Sequence, residues 1–338
     1  MTAFKRLTID DIAALAGVSR TTASMVLNGH AGRYRISAAT VARVEQVAKE
    51  HHFNPSQSAR SLRSRRSNTI GLVIPDLTNS AHAALAQAME NQCREQDFQL
   101  VMVTSDEDPE RETAGIAHLV ARQVDGMVVV PCSSDAVRYQ AWTGRLPLVF
   151  VDRRIDGSGI PSVVTDATGI VAELIGARLD AGCREVVFFG GQADLSPSRD
   201  RLQGYREALR LRGVAEPQDG VSQRDFQRES GYAMMAEWHE RHGRVPEALF
   251  TASITLLEGV LAWLSRHSRL GDAPAQLMTF DDHSLLDCLP LAIDAIVQDS
   301  EALARASLDQ VFTLLAGQTL AEPQRRVRAS IHARRLPG

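Results

Sequence analysis

Long apolar runs are missing from this chain of 338 residues. No stretch approaches the ~18 apolar residues of a membrane-crossing helix. The opening MTAFKRLTID has no apolar segment of the kind a secretory leader needs. Together these absences point to a cytoplasmic protein with no membrane partner. Cysteine is scarce: Cys93, Cys132, Cys183 and Cys288 stand alone, without a CxxC pair. Isolated thiols in a reducing compartment read as structural, and they argue against a disulfide framework, a metal site or catalysis. The ten histidines form no HExxH and no metal-spaced cluster with cysteine. His51 and His52 are expected near a helix end, and His82, His239 and His242 on helix surfaces. No metal and no cofactor are expected.

What the chain does have is enough apolar content, 44%, for a globular fold, and enough length for two or three domains. The formal net charge of −4 conceals an asymmetry. Residues 1–67 hold 11 Lys and Arg against 4 Asp and Glu, a balance of +7, whereas the remainder balances at −11. A basic head on an acidic body fits a nucleic-acid binder whose larger part has a second task.

The basic head contains the most informative stretch, 8–28, TIDDIAALAGVSRTTASMVLN. Thr8 followed three residues later by Asp11 predicts a capped helix start, and Ile9, Ile12, Ala13 and Leu15 predict its apolar face. Gly17 supplies a turn. Ser19 caps a second helix over 20–27, with Val18 packing inward and Asn28-Gly29 as the stop. Two short helices joined through a glycine turn form a helix-turn-helix, whose second helix enters the DNA major groove. The exposed start of that helix, with Arg20, Thr21, Thr22 and Ser24, carries a guanidinium and hydroxyls and no carboxylate, which suits guanine edges and phosphates. An ordinary helical hairpin packed in a core is the competing reading of the pattern.

Ser37 predicts a third helix from 38 to about 52, with Val41, Val44 and Val47 on one side. In 54–68, NPSQSARSLRSRRSN, Leu62 is the only large apolar residue, surrounded by Arg60, Arg63, Arg65 and Arg66. Pro55 suits a helix start, yet so short a helix is marginal alone in water, and a plain Ser/Arg linker reads equally well.

Beyond Thr69 short β-rich runs alternate with helical segments. Strands are expected at 70–74, 99–104, 126–130, 148–151, 186–189, 248–251, 277–280 and 295–297, with a helix over 80–96. Alternation of this kind implies parallel sheets covered on both faces, with ligands at the carboxyl ends of the strands. Asp76 and Asn79, Asp152 and Arg153, Asp166, Ser253, and Asp281 with Asp282 all follow strand patterns; Arg199 and Arg201 start a helix. Carboxylates accept sugar hydroxyls and arginine forks grip phosphate, so the set fits a polyol with an anionic group. A loop salt bridge or a helix cap is the plainer role for any one of them.

The run TIDDIAALAGVSRTTASMVLNG resembles the DNA-binding head of the lactose/galactose-repressor family (LacI/GalR). The pattern AGVSRTTASxVxNG followed by Arg33-Tyr34-Arg35-Ile36-Ser37 is most similar to its fructose-repressor branch (the catabolite repressor–activator). Further matches are Gly71-Leu-Val-Ile-Pro-Asp76, Arg122-Gln-Val-Asp125, Ala248-Leu-Phe-Thr251 and Leu285-Leu-Asp287, so the likeness covers nearly the whole chain. It implies an all-α helix-turn-helix head over 1–53, a hinge helix or linker over 54–67, and an effector-binding and dimerisation core over 68–338. That core resembles two-lobed periplasmic sugar-binding proteins with parallel sheets: lobe one at about 68–165 and 296–327, lobe two at about 166–295 and 328–338. The resemblance implies DNA contacts from Thr8, Ser19, Arg20, Thr21, Thr22, Ser24, Met25, Asn28, Arg33, Tyr34 and Arg35. From the hinge it adds Ser58, Ala59, Leu62 and Arg63, with Leu62 matching the leucine that wedges between base pairs in the minor groove. It implies effector contacts from Asp76, Asn79, Asp152, Arg153, Asp166, Arg199, Arg201, Ser253 and Asp281.

The implied function is a DNA-binding regulator, mainly a repressor, of genes for sugar, fructose and central carbon metabolism. A sugar phosphate, in this branch fructose 1-phosphate, would release it from its operator. It would act as a homodimer on double-stranded DNA; no leucine heptads follow Ile331 to build a tetramerising coiled coil, and a homotetramer stays open. Three departures stand out. Ser253 replaces a common Asn, Met25 replaces a polar recognition-helix residue, and Asp282 adds an acid that would oppose a phosphate. The alternative is a sugar-binding or sugar-phosphate enzyme on an α/β scaffold. It has no motif behind it: the loop after the first strand is PDLTNS, without GxGxxG or GxxxxGK[ST]; Gly190-Gly191 lacks a third glycine, and GxSxG is absent. A periplasmic sugar carrier is contradicted by the basic head and the missing leader.

Overall fold

The computed structural model describes residues 7–53, 66–267, 273–274 and 276–334, and the chain divides into two compact units at Ser67 and Asn68. Hinge positions Ser58, Ala59, Leu62 and Arg63 lie outside the described residues.

In the first unit, α1 (Ile9–Leu15), α2 (Arg20–Leu27) and α3 (Ala38–Glu50) each begin at a side-chain cap. At α1 the capping is reciprocal: Thr8 N donates to Asp11 Oδ2 at 2.8 Å, and Asp11 N donates to Thr8 Oγ1 at 3.3 Å. Ser19 and Ser37 accept from Thr22 N and Thr40 N at 3.1 and 3.3 Å. Gly17 turns the chain in the left-handed region at φ +62°, which a residue without Cβ reaches at no steric cost. Ile12, Ala13, Ala16, Ala23, Val26 and Val44 form the small core, with Val18 packed against it. Leu15 is 53% exposed, contrary to its assignment to the apolar face. Helical spacing from Ile9 and Ile12 leads to Ala13 and Ala16, and position 15 falls on another side.

The second unit contains two six-stranded sheets. Sheet one joins β1 (Thr69–Ile74), β2 (Gln99–Thr104), β3 (Gly126–Val129), β4 (Leu148–Val151), β5 (Ser162–Thr165) and, late in the chain, β11 (Gln324–Val327). Sheet two joins β6 (Val186–Gly190), β7 (Val221–Gln223), β8 (Ala248–Thr251), β9 (Gln276–Phe280), β10 (Ile293–Val297) and β12 (Ser330–His332). All pairings are parallel except β10 with β12. The central strands are buried along their length, the mark of sheets covered on both faces.

The covering helices are α4 (Ser80–Glu95), α5 (Pro109–Ala121) and α10 (Ser300–Leu315) for sheet one. For sheet two they are α6 (Ala167–Asp180), α7 (Ser196–Leu211), α8 (Arg228–His242) and α9 (Ile254–Arg266). Each sheet with its helices is a lobe, and the chain crosses between lobes after Thr165, after Val297 and after Val327. The second crossing comes slightly later than the expected 296, because Ile296 is buried in β10, paired with Phe280 and Ile331. No strand was expected at β7, β11 or β12. They are short and largely exposed or half-buried, and lack the apolar run by which the central strands are read.

Candidate functional site

A cleft of about 220 Å³ opens between the lobes at the carboxyl ends of both sheets. Seven expected effector residues line it: Asp76, Asn79, Asp152, Arg153, Arg201, Ser253 and Asp281. Asp166 and Arg199 do not. Asp166 stands at the start of α6 and faces Arg326 at 3.3 Å. Arg199 donates to Asp156 Oδ2 at 2.7 Å and to the carbonyl of Asp194. Two residues along a helix is a rotation of about 200°, so Arg199 and Arg201 leave α7 on opposite sides.

Several of these residues also have local structural roles. Asp76 Oδ1 accepts from Thr78 N and Asn79 N, both at 2.8 Å, and Asp76 Oδ2 lies 3.6 Å from His82 Nδ1. His82 and these turn donors hold the Asp76 carboxyl well below the usual carboxylate range, although partial burial works against them. His82, expected on a surface, is 5% exposed and lines the cleft, its Nδ1 without a hydrogen-bond partner among the described residues. Asn79 and Ser253 cap α4 and α9 through Ala81 N at 3.0 Å and Leu256 N at 3.2 Å.

Asp152 and Asp281, at the ends of β4 and β9, have φ of +63° and +70°. Among residues with a Cβ, Asp and Asn tolerate this region best, and local strain of this kind gathers at binding sites. Asp281 is 6% exposed, and burial pushes its carboxyl up while nearby Arg201 and a 2.7 Å bond from Gln298 Nε2 oppose that. Gln298 in turn accepts from Thr165 Oγ1, so two lobe crossings meet one cleft carboxylate.

The cleft's arginines differ. Arg153, 3% exposed, is held bidentately by Glu107 at 2.8 and 2.6 Å and donates to the Pro131 carbonyl at 3.1 Å. Burial alone would lower its pKa, and the Glu107 pairing more than reverses that. Arg201, 5% exposed, donates to the Ala252 carbonyl at 2.5 Å and lies 3.6 Å from the Phe280 ring centroid. Among the described residues its Nε has no partner, and burial lowers its pKa. Phe226 forms an apolar wall, its ring within 6.0 Å of both guanidinium groups. Gly191 makes room for that ring, since a Cβ there would meet it at 2.3 Å.

Sequence reasoning missed Glu107, Phe226, Arg228, Glu258 and Gln298, all of which line the cleft. Glu107 follows the strand pattern of β2, and the same strand-end rule would have found it. Phe226 and Arg228 follow β7, which has no strand signature. Asp282, the extra acid, points away from this chemistry: it is bonded by His332 Nδ1 at 2.9 Å and Arg334 Nη2 at 2.7 Å. Both partners lower its pKa against the cost of burial.

In the head, Thr8, Ser19, Arg20, Thr21, Arg33, Tyr34 and Arg35 are exposed, whereas Thr22, Ser24, Met25 and Asn28 are half-buried. Asn28 Nδ2 donates to the Ser24 carbonyl at 2.7 Å and so closes α2. Arg20 lies 3.4 Å from Asp10 but keeps 71% of its side chain exposed.

These two folded parts correspond to two family models. Residues 8–56 match bacterial regulatory proteins of the lacI family, and residues 67–322 match periplasmic binding proteins and the sugar-binding domain of the LacI family. The chain belongs to the LacI family. The sucrose operon repressor of Klebsiella pneumoniae is 43% identical over 330 residues, 98% of each chain. The catabolite repressor/activator of Escherichia coli K12 is 37% identical, covering 91% of this chain and 92% of that one. The Cra dual regulator of Pseudomonas putida, solved with fructose 1-phosphate, shares 30% identity at a TM-score of 0.71, covering 79% of this chain and 98% of that one. The lac repressor dimer bound to operator superposes with a TM-score of 0.81 over 98% of this chain and 99% of that one; at 23% identity it speaks for the fold alone. This LacI-family chain is therefore a DNA-binding transcription regulator and not an enzyme. No helix among the described residues is long and apolar enough to cross a membrane.

Proposed function

We propose that this regulator represses genes of sugar, fructose and central carbon metabolism, and that fructose 1-phosphate bound in the interlobe cleft releases it from its operator. The observation that carries the reading is Arg201: a buried guanidinium whose Nε has no partner among the described residues, lining a cleft with Asp152 and Asp281. A buried guanidinium with unmade hydrogen bonds is costly, and a ligand oxygen in the cleft would supply a partner for it. The names of the fructose operon regulatory protein of Vibrio cholerae, 35% identical over 89% of this chain, and of the P. putida complex support fructose chemistry. The active species is a homodimer on a pseudo-palindromic operator in the cytoplasm, because a single head buries little DNA surface and two-fold proteins match two-fold sites.

A second reading, a neutral sugar, is favoured by the acids. Glu107 already neutralises Arg153, and Asp76, Asp152, Glu258 and Asp281 also line the cleft. Calorimetry and operator gel shifts with fructose 1-phosphate and fructose separate the two. Fructose 1-phosphate should bind and release DNA at concentrations where fructose does neither. Heat and release from fructose alone would reverse the assignment. Arg201→Ala should stay on the operator at effector concentrations that free the wild type.

A further inference from the structure

The cleft has two ends of different electrostatic character. Its floor holds Asp152 and Asp281 beside Arg201, where one half-buried carboxylate, one buried carboxylate and a buried guanidinium suit hydroxyl groups. A phosphate carries close to two negative charges at neutral pH. Placed against these carboxylates in a desolvated floor, it would meet like charge where screening is weakest. Arg153 offers no relief, since Glu107 occupies both arms of its fork. Arg228 differs: it lines the same cleft, is exposed, and has no carboxylate within ion-pair distance among the described residues.

Arg228 is also the first residue of α8, a helix of 15 residues whose preceding residue, Gln227, supplies no side-chain cap. The positive end of the helix dipole and its unpaired N–H groups therefore lie beside a free guanidinium. The acids close in sequence weaken but do not cancel this: Asp225 Oδ1 is engaged by Gln227 N at 3.1 Å and by Ser230 Oγ, and Glu229 and Glu258 are exposed to water.

We infer that the effector binds with its sugar ring inward on Asp152, Asp281 and Arg201 and its phosphoryl group outward on Arg228 and the start of α8, so that Arg228 decides between a sugar phosphate and the free sugar. This rests on the sugar-phosphate reading above and adds the orientation of the ligand and the residue that reads its charge. Wild type, Arg228→Gln and Arg228→Lys full-length proteins are titrated calorimetrically with fructose 1-phosphate and with fructose. A charge-assisted pairing lost at a half-wet site should lower fructose 1-phosphate affinity ten- to roughly a hundredfold in Arg228→Gln. The preference over fructose should collapse by the same factor, and Arg228→Lys should restore part of it. A wild type that prefers fructose 1-phosphate and an Arg228→Gln variant that keeps the preference would place the phosphate elsewhere and overturn this inference alone. A wild type with no preference would overturn the sugar-phosphate reading itself, and this inference with it.

Discussion

Among the contacts that join the two lobes is an ion pair between Arg154 and Asp200. Arg154, after β4 in lobe one, grips Asp200, in α7 of lobe two, through two bonds of 2.5 and 2.9 Å. Asp200 has 8% of its side chain exposed and Arg154 17%. The Arg154 backbone N also donates to Ser196 Oγ at 2.8 Å, and Arg199–Asp156 and Ser134–Asp194 bonds of 2.7 and 2.9 Å reinforce the contact. Breaking a buried pair costs about 3–5 kcal/mol and an exposed one ~1 kcal/mol or less. After Asp200→Asn, Arg154 keeps Asp156 at 2.9 Å and some access to water. The expected loss is therefore intermediate, about 2.5 kcal/mol. With a urea slope near 3 kcal/mol per M, the upper end for small proteins, the unfolding midpoint of the core should fall by about 0.8 M. Arg154→Met should cost at least as much, because it strands the buried Asp200 carboxylate. A double-mutant cycle should give a coupling of ~2 kcal/mol. Coupling below ~0.5 kcal/mol would refute the claim that this pair joins the lobes energetically.

Three other outcomes are expected. Gly259→Ala should destabilise the core by about 3 kcal/mol or more in the same urea assay, because a Cβ there would sit 2.0 Å from the Arg228 carbonyl oxygen, which is backbone and cannot swing aside; a loss under ~1 kcal/mol would contradict that packing. Glu112 is 1% exposed and accepts from Tyr139 Oη and from Cys132 N at 2.8 Å, and burial raises its pKa above the ordinary 4.5 despite those bonds. The folded chain then binds the proton more tightly than the unfolded one, so this contribution is complete below 4.5 and lost as pH rises through the raised value. Relative to wild type, Glu112→Gln should gain stability as pH rises above 4.5; parallel stability curves would speak against it. Finally, Leu62→Ala should lower operator affinity tenfold or more while random DNA, held by phosphate contacts, is nearly unaffected, since a buried leucine is worth roughly 1.5–3 kcal/mol; an unchanged affinity ratio at fixed salt would make 54–68 a linker only.

Local rules carried the reading where the deciding interactions are local. Thr8 with Asp11, Ser19 with Thr22 and Ser37 with Thr40 are contacts three residues apart, so the caps and the helix-turn-helix could be read directly from spacing. The central strands announced themselves as apolar runs because both of their faces are buried. Asp76, Asp152 and Asp281 could be picked out as strand-end carboxylates for the same reason. The sequence alone thus determined the central strands, the helices of the head and which carboxylates stand at strand ends.

Only the tertiary structure decided which charges are available in the cleft. Arg153 is neutralised by Glu107, 46 positions away, and Asp282 is satisfied by His332 and Arg334, 50 and 52 positions away. Arg199 and Arg201 look alike in the sequence, and the phase of α7 sends one to a surface pair and the other to the cleft. β11 and β12 carry little apolar signal and acquire their place from the sheets they complete. A short exposed strand has no pattern of its own, and an ion pair between distant residues leaves no mark on spacing. Those features exist only once the two lobes have formed and the chain has crossed between them three times.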